Sequence, residues 1–131
     1  MEIMNYPIKP KSTSTMVQGQ FWSVPIGDGR FSCGVVLALV EKSGKKDPRI
    51  FLAGLLDWVG PLPPSAEELD KCSVLEKGFA HIKTITETGG ALLGKLEINL
   101  GSPEVVSETD SINTWGYNSI VKKAAKHNVG S

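Results

Sequence analysis

The sequence predicts a mainly β domain of the α+β kind: a strongly curved antiparallel sheet or small barrel with a short inserted helix and a C-terminal helix. Three observations carry that expectation. The apolar runs are short, rich in β-branched and aromatic residues, and separated by Gly- and Pro-containing turns, as strands are. Gly34 and Gly54 interrupt two of those runs, and a glycine inside a strand marks a bulge, a bend or a close backbone approach, all of which curl a sheet. Helical spacing is confined to a stretch after a proline cluster and to the C-terminal region.

Residues 1–18 hold Pro7, Pro10 and a polar run over 11–15. They carry neither hydrophobic period and predict a flexible lead-in, with a single globular domain over 19–131. Residues 21–26 read as the first strand, and Gly27-Asp28-Gly29 follows as a tight reversal because its glycines accept positive φ. Residues 30–41 form the second strand, with Phe31, Cys33, Val35, Leu37 and Leu39 on one face and Val36, Ala38 and Val40 on the other. Apolar on both faces, it belongs at the centre of the sheet. A charged turn over 43–48 leads to a third strand over 49–58, completing a meander.

Gly60-Pro61-Leu62-Pro63-Pro64 breaks the strand pattern. Ser65 and Glu68 then stand at capping-box spacing and predict a short helix. Residues 79–86 and 92–100 flank Gly89-Gly90 and read as a second hairpin. After Ser102-Pro103 the chain is polar and acidic through Glu104, Glu108 and Asp110. Residues 115–127 take helical spacing, with Tyr117, Val121 and Ala124 on one face and Lys122, Lys123 and Lys126 towards the other. Those lysines sit near the C-terminal end, where the helix dipole favours cations.

The chain has 131 residues, 40% hydrophobic and 21% charged, an ordinary globular composition. Fourteen basic residues balance fourteen acidic ones, so no overall field draws the protein to nucleic acid or an anionic membrane. Cys33 and Cys72 lie far apart without C-x-x-C spacing and read as reduced thiols of a cytoplasmic protein. The longest apolar run, Val35 to Val40, is far short of the roughly 20 residues of a membrane helix.

No catalytic or metal constellation is legible. A zinc site assembled from His81, His127, Cys33 and Cys72 would need a long-range convergence of all four. Cys33 lies within an apolar strand, the setting of an inert thiol. Gly27-Asp28-Gly29 joins two strands and so offers no helix N-terminus to a phosphate. The carboxylates Glu67, Glu68 and Asp110 occupy polar, solvated stretches. A small enzyme built from scattered polar residues would have His81 as its candidate base, given a carboxylate beside it. Lys42, Lys45, Lys46 and Arg49 form a basic cluster, a solubilising turn or, beside an exposed aromatic, a modest nucleic-acid patch. Trp22 and Trp58 lie near predicted loops and suit either a core or a protein contact.

From Gly19 to about Gly94 the sequence resembles the immunity protein 26 family, small bacterial proteins encoded beside polymorphic toxins. The matching residues begin with Gly19-Gln20-Phe21-Trp22-Ser23-Val24-Pro25-Ile26, Asp28-Gly29-Arg30-Phe31 and Gly34-Val35-Val36. They continue with Trp58, Pro63-Pro64-Ser65-Ala66-Glu67-Glu68-Leu69, Leu75-Glu76-Lys77-Gly78-Phe79 and Ile82. Relatives often carry Gly-Arg-Val where this chain has Gly34-Val35-Val36, so that arginine's role does not carry over. The resemblance implies a protein without cofactor, metal or catalysis of its own that binds and neutralises a cognate toxin domain. Trp22, Asp28, Arg30, Trp58 and Glu68 are the expected contacts, because they lie on or beside hairpin and connector loops. The alternative expectation is a small-barrel nucleic-acid-binding module.

Overall fold

The structure is a computed structural model and describes residues 6–96, 103–107 and 112–127 of the chain. Its centre is a curved, open sheet. Strand β1 (Gln20–Pro25) turns back through residues 26–30 into β2 (Phe31–Lys42), which turns again into β3 (Lys45–Gly60). A connector holding α1 (Ala66–Leu69) leads to β4 (Val74–His81) and then α2 (Lys83–Thr88). Short strands β5 (Gly94–Lys95) and β6 (Val105–Ser107) follow, then α3 (Ser119–His127). The strand order is β4-β3-β2-β1-β5, with β6 added to β2. Since β4 and β5 occupy opposite edges, the curved sheet rather than a closed barrel is the form adopted.

The meander β1-β2-β3-β4 is antiparallel throughout. Strand β2 uses one edge twice. Residues 31–35 pair with β1, and Leu39, Val40 and Glu41 pair in parallel with Val105, Val106 and Ser107 of β6. As its apolar faces require, β2 is covered on both sides: residues 32–40 are all buried.

The strict alternation expected along β2 fails at one point. Val36 opposes Ala53 but Ala38 opposes Leu52, so Leu37 is an extra residue in the ladder. Ahead of this bulge Val35 and Leu37 lie in one core cluster and Val36 in the other. Beyond it Ala38 and Val40 share the cluster of Val35, while Leu39 crosses to that of Val36. One inserted residue reverses the face of everything after it, because the side-chain period is two.

Both strand glycines mark close approaches. A Cβ on Gly34 would lie 2.4 Å from the Trp22 ring, and one on Gly54 would lie 2.8 Å from Leu37. Trp22 sits directly across the ladder from Gly34 and lies over its bare backbone.

Several expectations are corrected. Over its described part the lead-in is packed: Met16 is 1% exposed, Thr13 is buried, and Ile8 exchanges two backbone hydrogen bonds with Leu92. Single apolar residues fill slots without any periodicity to announce them. The second hairpin does not form. Strand β4 ends at His81, residues 83–88 turn into α2, and β5 pairs with β1 instead. Local β-branching in Lys83-Thr84-Ile85-Thr86 favours a strand, but a helical turn places Thr84 and Ile85 inside together. The remainder of the second strand of that hairpin, 97–100, lies outside the described residues.

The capping box is also absent. The Ser65 hydroxyl bonds the Glu68 carboxylate at 3.3 Å and caps no backbone N–H. Helix α3 starts at Ser119, not Trp115, because residues 113–115 are extended beside β4: Phe79 N–H donates to Asn113 O and Trp115 N–H to Phe79 O. Ile120 and Ala124 are its buried residues, and Tyr117 precedes the helix at 40% exposure.

Candidate functional site

The end of β1, the start of β2, the end of β3 and the start of β4 coincide, because Pro25 pairs with Phe31, Phe31 with Gly60, and Leu56 with Val74. Asp28, Arg30, Trp58 and Glu68 therefore stand at one end of the sheet, on the β1–β2 loop, the last turn of β3 and the connector. The structure brings these four expected contacts into one region.

Asp28 and Arg30 form a local clamp. The Arg30 N–H donates to Asp28 Oδ1 (3.0 Å), and its guanidinium donates to Oδ2 from Nε (2.8 Å) and Nη2 (2.7 Å). Hydrogen bonding by Arg30 holds the Asp28 carboxyl below its usual range, and the same pair raises the Arg30 guanidinium. Both are solvent-accessible, so the pair sets the loop's shape and its charge display more than its stability.

Trp58 sits in a wide bulge. Phe31 opposes Gly60 while Cys33 opposes Leu56, so Asp57, Trp58 and Val59 face Ser32 alone. The Ser32 hydroxyl donates to Trp58 O (2.8 Å) and closes the gap. The indole lies against Gly60, where a Cβ would approach it to 2.8 Å, and packs partly on the core cluster containing Leu56 and Leu69. It is half-buried.

Trp22 departs from expectation. It is 0% exposed, its Nε1 donates to Thr88 Oγ1 (3.0 Å), and its ring meets Phe51 edge-on at 5.9 Å. A side chain so enclosed holds α2 to the sheet and offers no surface to a partner.

One residue of this end escaped the pattern reading. Leu62 is 71% exposed, more than either Val105 or Tyr117, the other exposed large apolar side chains among the described residues. The signal for it lay in Pro61, Pro63 and Pro64, between which a leucine can join neither a strand nor an extended helix. Acidic groups collect nearby: Asp57, Glu67, Glu68 and Asp70 are all exposed, and Lys71 is the basic residue among them.

The opposite end carries the β2–β3 hairpin with Lys42, Lys45, Lys46 and Arg49, interleaved with Glu41 and Asp47. Asp47 Oδ1 accepts the N–H groups of Arg49 and Ile50 (2.8 Å each).

His81 lies within electrostatic range of the carboxylates of Asp47 and Glu87. Its Nδ1 accepts the Lys83 N–H at 3.1 Å, and its ring meets Tyr117 at 5.4 Å. Partial burial, then the charges of Lys83 and Arg49, lower its pKa, and the charges of Asp47 and Glu87 oppose that lowering. Cys33 is buried, and burial raises its thiol well above the ordinary range; Cys72 is raised less. Among the described residues no group of three or more His, Cys, Asp or Glu converges as metal ligands do. An open groove of about 740 Å³ is lined by Ile8, Lys9, Lys11, Ser12, Ser14, Thr15 and Val17, none of them an expected contact. No helix among the described residues is long and apolar enough to cross a membrane.

Comparison with protein-family models, with curated proteins and with solved structures finds no match for this chain.

Proposed function

We propose that this chain is a cytoplasmic immunity protein that binds and neutralises a cognate toxin domain, without chemistry of its own. The observation that supports the reading best is the gathering of Asp28, Arg30, Trp58 and Glu68 on the loops at one end of a well-packed sheet. Inhibition by occlusion needs a preorganised surface with an accessible aromatic and charged groups held in position. The clamp between Asp28 and Arg30 and the bulge under Trp58 supply both. The resemblance between residues 19 and 94 and the toxin-immunity family points the same way. The basic hairpin supports a nucleic-acid reading less, since Glu41 and Asp47 share it.

The test is to co-express the chain with the C-terminal toxin domain encoded beside its gene. Restored growth, together with a one-to-one complex of the purified proteins, is the expected result. Arg30→Ala, which removes the clamp on Asp28, should weaken that complex while leaving the fold intact. Continued toxicity without a complex would overturn the reading.

A further inference from the structure

We infer that Leu62 is the anchor by which this domain engages its partner, and that the partner offers an apolar pocket with a basic rim. The inference rests on the toxin-binding reading and specifies the chemistry of the surface it uses.

Leu62 is displayed at 71% exposure, and the local sequence makes the display rigid. Proline fixes φ at residues 61, 63 and 64, so the backbone on both sides of Leu62 has little freedom left to lose on binding. Both ends of the loop are tied down. At its start the Trp58 ring rests on Gly60, and at its finish Pro64 and Leu69 are buried. Asp57 N–H donates to Ser73 O (2.8 Å), drawing the two ends of the connector together. An apolar side chain raised on a rigid, tethered loop fits a concave site, because preorganisation removes most of the ordering cost of insertion.

Charge narrows the partner. Asp57, Glu67, Glu68 and Asp70 are exposed on the segments flanking the loop, with Lys71 as the counter-charge there and Arg30 at the same end already paired with Asp28. Such a rim is repelled by an acidic surface and steered onto a basic one. A pocket rimmed by Lys and Arg is the cleft of an enzyme acting on a polyanion, such as a nucleic acid. Leu62 would fill the pocket while the carboxylates take up cations that otherwise meet phosphate.

The experiment uses the full chain and, as probe, the toxin domain encoded beside it, with binding followed by surface plasmon resonance over a range of salt. Leu62→Ala should weaken the complex about 30-fold or more, mainly through faster dissociation. Its melting temperature should stay native, because the side chain is exposed. The combined variant Glu67→Gln, Glu68→Gln, Asp70→Asn should slow association roughly tenfold and flatten its salt dependence. If the native chain binds and Leu62→Ala binds within about threefold of it, the anchor assignment is wrong and the toxin-binding reading stands. If the leucine matters but the carboxylate variant associates as fast as the native chain, the basic rim is wrong. If the native chain does not bind this toxin domain, both readings fall together.

Discussion

Gly34→Ala places a methyl group where the structure has no room for one. An ideal Cβ there would lie 2.4, 2.5 and 2.7 Å from three carbons of the Trp22 benzo ring. The ring is 0% exposed and cannot retreat into solvent, and its Nε1 is tied to Thr88 Oγ1. Relieving the clash must displace the indole or spread β1 from β2. Overpacking of this kind costs about 1–3 kcal/mol, and losing the Trp22–Thr88 hydrogen bond adds about 1 kcal/mol. Replacing a strand glycine by alanine returns about 0.5–1 kcal/mol of backbone entropy. The net expectation is a loss of roughly 2–3 kcal/mol, or roughly 8–12 °C in melting temperature for a chain of this size. Urea unfolding followed by far-ultraviolet circular dichroism reads it without relying on the perturbed indole. In a Trp22→Phe background the struck benzo ring is gone, so Gly34→Ala should there cost less by about 1–2 kcal/mol. Native or higher stability for Gly34→Ala in the wild-type background would refute the close packing of Trp22 on the β2 backbone.

Gly78→Ala should release the segment from residue 112 to α3, since the new methyl would lie 2.2 Å from Trp115 Nε1; trypsin should then cut at Lys122 or Lys123 faster than in the native protein, and an unchanged rate would count against this docking. Glu76 joins β4 to α3 by accepting from Lys123 Nζ (3.0 Å) and pairing with His127 Nε2 (2.7 Å). Partial burial opposes ionisation of Glu76, but hydrogen bonds from these two residues and their charges outweigh it and lower its pKa. A carboxylate depressed on folding contributes stability above its unfolded pKa of about 4.3 and loses it as pH falls through the lower folded value. The stability gap between the native protein and Glu76→Gln should therefore close as pH drops below about 4.3 in urea titrations; a gap that widens would reverse the sign of the argument. With a thiol reagent at pH 8, Cys72 should react in the folded protein and Cys33 only after unfolding, since Cys33 is fully buried and Cys72 partly exposed; equal rates would place Cys33 outside the core.

Part of the candidate surface is legible in the sequence. Gly27-Asp28-Gly29 announced a hairpin, and Asp28 and Arg30 meet across that loop because they are two residues apart in a tight turn. Trp58 was placed at the end of a strand, but the bulge that tilts it onto Gly60 depends on Ser32 reaching Trp58 O across the ladder. Of the two settings the sequence leaves open for Trp22, core or contact, the structure adopts the core, because its neighbour across the strand is a glycine, which the local sequence around Trp22 does not announce. Leu62 was overlooked because hydrophobic periodicity, the main signal of structure, passes over a single apolar residue among prolines.

Local chemistry alone determined the meander: alternating β-branched runs, glycine turns, an apolar central strand and a polar connector each specify their conformation within a few residues. Tertiary structure decided the rest. The bulge at Leu37 reverses the faces of β2 beyond it, and the pairing of β5 with β1 draws 83–88 into a helix against strand propensity. Met16 and Ile8 also gain their places from the fold. The physical reason is one of range. Backbone preference is worth tenths of a kcal/mol per residue to about 1 kcal/mol, whereas enclosing an apolar side chain is worth about 1.5–3 kcal/mol, and which side chains are enclosed depends on residues far away in the chain.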